Sequence, residues 1–363
     1  MRICFLSAGN FAHVGPYLDY FKEAGHDVRF LALSPSPPRS VPVYDLSVGG
    51  GYDAEGGKWK YPLSMLRARA LIRRLKPDIV HAHYATSGGL ASLVCGHHPT
   101  VVTAHGTDLA AGVESPVWRT LLKATFDQAD CVNAVSEELK TLAVGLGIAP
   151  AKIEVLTLGV DTQRFSLEPR APQPGRPLRL ICTRRLEPVY DPATIVEALA
   201  LVRAAGLPFS MTFAGEGGLR AGIQALASRL GLGAEVSFLG EVDHAALPDL
   251  LARHDVALSA SRRDGTSLSL LESMAAGLFP IVSDIPANRA WLENGAGGLL
   301  HRPGDPRDLA RLILELGRRP GLIAPAARTN RARVMAGGDR RRNMARLERT
   351  YLELLARARG AAA

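Results

Sequence analysis

No stretch of roughly 18 unbroken apolar residues occurs in the 363-residue sequence, so it offers no candidate for a membrane-spanning helix. The opening Met1-Arg2-Ile3-Cys4-Phe5-Leu6-Ser7 leads directly into strand-like sequence, so a cleaved leader is not expected and a cytoplasmic location is. Cysteine is scarce. Cys4, Cys95, Cys131 and Cys182 lie far apart, with no Cys-x-x-Cys pair and no His at zinc-ligand spacing, which excludes a disulfide framework or a zinc module. Three of the four sit in apolar runs, where a thiol acts as a small hydrophobe, and His97-His98 reads as loop. Aromatic residues make up only 6%. They are not interleaved with the basic residues of the C-terminal part, so a nucleic-acid surface is not expected.

Net charge is +8, unevenly placed. Residues 1–165 nearly cancel, with 16 basic and 15 acidic groups, whereas from Arg302 onward 15 arginines face six acids. Those arginines are spread over helical sequence, which reads as a solvated helix face or a contact with an anionic membrane. Apolar residues form 47% of the chain, enough for two sizeable cores.

Short apolar runs alternate with helical stretches throughout, the pattern of parallel α/β structure. Strands are predicted over 2–8, 27–33, 78–84, 100–105, 131–136 and 153–159, then over 178–183, 210–214, 236–239, 256–261 and 279–283. Helices are predicted over stretches such as 14–24 and 63–75. The four prolines within Leu167–Pro177 mark a linker, since each removes a backbone donor. The expected architecture is thus two Rossmann-like domains, 1–166 and 178–342, joined by 167–177 and facing each other across a cleft.

The richest block runs from Ser261 to Gly277, Ser-Arg-Arg-Asp-Gly-Thr-Ser-Leu-Ser-Leu-Leu-Glu-Ser-Met-Ala-Ala-Gly. A strand ends, a turn with Gly265 follows, and a helix starts near Thr266 or Ser267, ahead of Leu268. Free backbone N–H groups and the helix dipole favour an anion there, and a diphosphate suits it. Asp264 precedes the turn and Glu272 lies eight positions on, so two carboxylates could grip sugar and ribose hydroxyls on either side of the phosphates. Asp264 as a cap and Glu272 as a solvated side chain is the plainer alternative. A glycosidase pair is disfavoured because nothing marks an acid and a base.

The sequence here resembles family 4 of the retaining GT-B glycosyltransferases, over almost its whole length. That family carries two Glu separated by seven residues in a Glu-Gly…Leu-Leu-Glu-Ala-Met-Ala-x-Gly run. Asp264 to Gly277 follows it, with Asp264 replacing the first Glu and Ser273 the Ala. Pro280–Pro286, Gly297-Gly298-Leu299-Leu300, Ala104-His105-Gly106-Thr107-Asp108, Ala134-Val135-Ser136 and Leu158–Phe165 also match. The resemblance implies that Asp264 contacts the donor sugar, Glu272 binds the ribose, and His105, beside Asp108, lies near the transferred sugar. The family's Gly-Arg-Leu and following Lys fall on Arg184-Arg185-Leu186 and Tyr190. By that register Arg185 replaces the family Arg and Tyr190 the Lys, with Arg184 available as a second cation.

Gly215, in a Gly-rich turn after a strand, joins the donor side, while Gly9 and Asn10, after the first strand, join the acceptor side. No Asp-x-Asp occurs, which argues against the metal-dependent GT-A enzymes; no cofactor or metal is expected, and Arg185 with the helix N-termini would stabilise the departing diphosphate. The resemblance implies retention of anomeric configuration, with a glycan, lipid-linked or small-molecule hydroxyl as acceptor. Lys58-Trp59-Lys60-Tyr61 leads into a helix with Arg67, Arg69, Arg73 and Arg74 among leucines, which could rest on an anionic membrane. A terminal helix from about 343 is expected to pack back on the first domain. A GT-B-like sugar-nucleotide epimerase and a non-catalytic nucleotide-sugar-binding partner are the competing readings.

Overall fold

The computed structural model describes residues 1–8, 11–37, 39–48, 61–106, 108–109, 115–165, 176–292 and 297–360. Gly9, Asn10, Thr107, Lys58 to Lys60 and all of the expected linker except Arg176 and Pro177 lie outside the described residues. The chain divides into two compact units, Met1–Leu158 with Arg341–Ala363, and Gly159–Arg340.

The first unit is built on seven parallel strands: β1 (Arg2–Ser7), β2 (Asp27–Ala32), β3 (Val43–Asp45), β4 (Ile79–His83), β5 (Thr100–Ala104), β6 (Cys131–Ala134) and β7 (Ile153–Val155). Their order is β3-β2-β1-β4-β5-β6-β7. Parallel pairing requires crossovers, which α1 (Phe11–Glu23), α2 (Tyr61–Leu75), α3 (Leu90–Cys95), α4 (Pro116–Gln128) and α5 (Glu137–Gly145) supply. Because helices cover both faces, the central strands are buried end to end, β4 and β5 without an exposed position.

The second unit repeats the plan. Strands β8 (Leu178–Cys182), β9 (Phe209–Phe213), β10 (Val236–Phe238), β11 (Val256–Ser259), β12 (Phe279–Ser283) and β13 (Leu299–His301) lie in the order β10-β9-β8-β11-β12-β13. Successive strand residues feed opposite cores, as the period of two demands. Leu180, Leu258 and Ile281 join one cluster with Leu199 of α6 (Pro192–Ala204), while Ile181, Ala257 and Val282 join the other with Leu271 and Met274. The remaining helices are α7 (Arg220–Arg229), α8 (Leu247–Leu251), α9 (Leu268–Ala275), α10 (Pro286–Arg289), α11 (Pro306–Arg318) and α12 (Ile323–Gly337).

The last helix, α13 (Arg340–Gly360), returns the chain to the first unit. There Leu347, Tyr351 and Leu354 are buried, and the Tyr351 ring stacks on Phe21 at 5.0 Å.

Observed strands follow the predicted ones to within a few residues, and β3 and β13 are additions. Each is a three-residue edge strand next to turn-forming residues, Pro42 before β3 and Gly297-Gly298 before β13, which read as loop. Among the described residues no helix is long and apolar enough to cross a membrane.

Candidate functional site

Open α/β sheets bind ligands outside the carboxyl ends of their strands, where the strand order reverses. In the second sheet that point lies between β8 and β11, which are neighbours although far apart in sequence. Arg184 follows the end of β8 and Asp264 follows the end of β11. They meet over this crevice, Arg184 Nη2 donating to Asp264 Oδ2 at 2.6 Å, with both side chains largely buried. The second carboxylate oxygen accepts from the Gly265 amide at 3.0 Å.

Arg184 also donates through Nη1 to Ser267 Oγ at 3.1 Å and Ser269 Oγ at 3.2 Å, and its guanidinium lies 4.1 Å from the centroid of the Tyr190 ring. Its Nε is buried and makes no hydrogen bond among the described residues. Ser267 is the N-cap of α9, its Oγ accepting from the Leu270 amide at 3.3 Å, and Leu271 makes the first intrahelical bond back to the Ser267 carbonyl. The start of α9, with Thr266 just ahead of it and Leu268 as its first residue, is therefore aimed at the same place as the guanidinium. Glu272 stands one turn further on, three residues from Ser269 and so on the same side of the helix. It is only 8% exposed, and its Oε1 accepts from His244 Nε2 at 2.9 Å.

Of the two arginines, the structure brings Arg184 into the cluster and leaves Arg185 outside it. The Arg185 side chain is 71% exposed and reaches Glu187 at 3.4 Å. Gly215 lies behind the arginines. A Cβ there would come within 2.4 Å of the Arg184 carbonyl oxygen, and one at Gly217 within 2.3 Å of that of Leu186. These glycines let the turn after β9 press on the arginine segment, and the Leu186 amide bonds the Glu216 carbonyl at 2.9 Å. No lysine follows Lys152 in the sequence, so every fixed cation of the second unit is a guanidinium.

In the first unit His105 follows β5, and its Nε2 lies 3.0 Å from His83 Nδ1 at the end of β4. Its ring stacks on Tyr84 at 4.3 Å and lies 5.4 Å from that of His13. Further in, His83 stacks on His81 at 4.3 Å, and Tyr351 Oη meets His81 Nδ1 at 2.5 Å. Burial pushes His81 down to about 3. Burial, reinforced by the neighbouring imidazoles, also holds His83 and His105 well below the usual histidine range.

Asp108 is buried and faces backbone. Its carboxylate accepts from the amides of Ala85 at 2.7 Å, Gly106 at 2.8 Å and His105 at 3.1 Å. Burial raises its pKa despite these bonds. Asp108 thus ties the loop after β5 to the segment after β4 and fixes where His105 stands.

The sequence reading singled out neither His244 nor the His81–His83 pair. His-x-His inside a predicted strand was a usable signal, since residues two apart share a face. His244 lies 28 positions from Glu272 and in no motif.

Residues 13–164 match the family Glycosyltransferase Family 4, and residues 164–333 match Glycosyl transferases group 1. The chain is 27% identical to the putative glycosyltransferase EpsD of Bacillus subtilis, over 93% of each chain. It is 28% identical to a glycogen synthase of Mycobacterium tuberculosis, covering 86% of this chain and 81% of that protein. Among solved structures, sucrose-phosphate synthase from Thermosynechococcus elongatus superposes with a TM-score of 0.83 at 18% identity, covering 98% of this chain and 100% of that one. Anabaena HepE in complex with UDP-glucose gives a TM-score of 0.76 at 16% identity, covering 98% and 99%.

Proposed function

Since this chain belongs to the group 1 glycosyltransferases and has their GT-B architecture, we propose that it moves a sugar from a nucleoside diphosphate sugar to a hydroxyl acceptor, with retention and without a metal. The observation that carries this reading is the cluster at the second unit's switch point. A buried guanidinium whose Nε–H has no partner among the described residues, the N-terminus of α9 and two carboxylates suit a diphosphate flanked by two sets of hydroxyls. Arg184 takes the diphosphate, with exposed Arg185 as the second cation; arginine binds phosphate bidentately and never loses its charge. Asp264 takes the sugar hydroxyls and Glu272 those of the ribose. The HepE neighbour was solved with UDP and with UDP-glucose, which makes uridine the first donor nucleotide to test.

In the proposed reaction the acceptor oxygen forms its bond to the anomeric carbon on the face from which the diphosphate departs. The anomeric carbon–phosphate oxygen bond breaks, and the acceptor proton passes to the leaving phosphate oxygen. The protein contributes positioning and charge stabilisation. His105, held neutral by burial, and the loop that Asp108 braces serve the acceptor side. On α2, Leu63 and Leu66 are 47% and 56% exposed, beside basic residues that include Arg67. We assign this face to peripheral contact with anionic lipid, which suits a lipid-linked acceptor.

The test is a thermal-shift panel of UDP, GDP and ADP and their common sugar conjugates, each with and without EDTA. A nucleotide at 100 times its Kd stabilises by about 2.7 kcal/mol. One nucleotide family should raise Tm by several degrees in EDTA. Arg184→Ala should remove the shift, since a charge-assisted contact is worth about 1.5–3 kcal/mol. Failure of every nucleotide to stabilise the wild type would defeat the reading.

A further inference from the structure

We propose that His244 is a positioning residue for the donor nucleotide: with Arg164 behind it, it holds the Glu272 carboxylate in a single orientation for the ribose hydroxyls. The inference rests on the reading of Glu272 as the ribose carboxylate. All three residues belong to the second unit. His244 lies just ahead of α8, and its ring bridges two charged groups. Arg164 Nη1 sits 3.4 Å from His244 Nδ1, and Arg164 Nη2 donates to the His244 carbonyl at 3.0 Å.

A guanidinium has donors only, so Nδ1 must accept. The proton of the neutral ring then resides on Nε2, which donates to Glu272 Oε1 at 2.9 Å. Arg164 thereby fixes the tautomer, and its second bond fixes the segment that carries the ring. The Phe165 ring meets the imidazole edge to face, with centroids 6.0 Å apart. One carboxylate oxygen is thus committed to the protein, and Oε2 has no hydrogen-bond partner among the described residues. Leu271 and Met274, both fully buried, flank Glu272 on α9 and give it little other polar company.

Without His244, a side chain with three rotatable bonds would have to be ordered by the nucleotide itself. Ordering such a side chain corresponds to about a 2- to 12-fold loss of affinity. The loss should fall on the ribose contact alone.

The experiment is calorimetric titration with whichever of UDP, GDP and ADP binds best, and with its 2′-deoxy counterpart. The variants are His244→Ala, His244→Gln and Glu272→Gln. The wild type should prefer the ribose form, and Glu272→Gln should erase that preference. His244→Ala should weaken the ribose form about 2- to 12-fold and leave the deoxy form unchanged. His244→Gln, whose amide N–H can still donate, should recover part of the loss. Equal weakening of both forms in His244→Ala, or no change in either, would overturn the relay while Glu272→Gln still upholds the ribose site. An undiminished preference in Glu272→Gln would instead remove the ribose assignment, and the relay with it.

Discussion

Mild acid should loosen the first unit well before most of its carboxylates take up protons. His81 is held at about 3 by burial, whereas in an unfolded chain it titrates near 6.5. Below pH 6.5 the unfolded state therefore binds a proton that the folded state refuses, so stability is lost as pH falls from 6.5 towards 3. At pH 5 the loss from His81 alone is about 2 kcal/mol, from 1.5 pH units at about 1.36 kcal/mol each. His83 and His105 are displaced in the same direction and add to it. His97 is lowered by burial as well, while Asp108 and Glu138, both raised by burial, oppose the histidines.

The total is a large part of the roughly 5–15 kcal/mol that holds a domain together. Hydrogen exchange read on peptides spanning β4 and β5, corrected for intrinsic rates, isolates the first unit from the second. The free energy of opening should fall between pH 7 and pH 5, and His81→Gln should flatten the slope by about 1.4 kcal/mol per pH unit. Equal opening energies at the two pH values, or an unchanged slope in the variant, would refute the reasoning.

Two further outcomes are expected. Gly215→Ala pushes a methyl towards the Arg184 carbonyl. It should cost about 1–3 kcal/mol of stability in a urea titration and displace Arg184, so nucleotide affinity measured by calorimetry should fall too. The α2 face should carry the protein down with anionic vesicles at low salt, releasing it near 1 M salt, where the screening length shrinks to about 3 Å. Absence from the low-salt pellet would sink the membrane assignment.

The sequence made the sheets legible because buried parallel strands carry short apolar runs, as in the Ile-Cys-Phe-Leu of Arg2–Ser7 and the Val-Ala-Leu of Val256–Ser259. The edge strands β3 and β13 escaped because they sit among turn-forming residues, the prolines up to Pro42 before β3 and Gly297-Gly298 before β13, which read as loop. At the proposed site, the Asp264-to-Glu272 segment reads as a strand-to-helix turn, and Ser267 as the cap matches the predicted helix start. Choosing between Arg184 and Arg185 was beyond the motif. Just past a strand, a one-residue offset sends a side chain to the opposite face, and the family register pointed to Arg185 while the buried contacts belong to Arg184. His244 was invisible for a different reason: it reaches Glu272 through tertiary structure, the two flanking helices sharing one core cluster through Leu247, Leu251, Leu270 and Leu271, which spacing along the chain does not encode.

The placement of lysine has a consequence for chemistry in a sugar-rich cell. All seven lysines lie at or before Lys152. Reducing sugars glycate proteins through their open-chain aldehydes, which condense with side-chain amines to form imines. The unit Gly159–Arg340 offers them no lysine amine at all. Its guanidinium charges are also constant at any pH a cell reaches. Acetylation and amine-directed labels are likewise confined to the first unit, so such a label can tag the chain while leaving the unit Gly159–Arg340 chemically untouched.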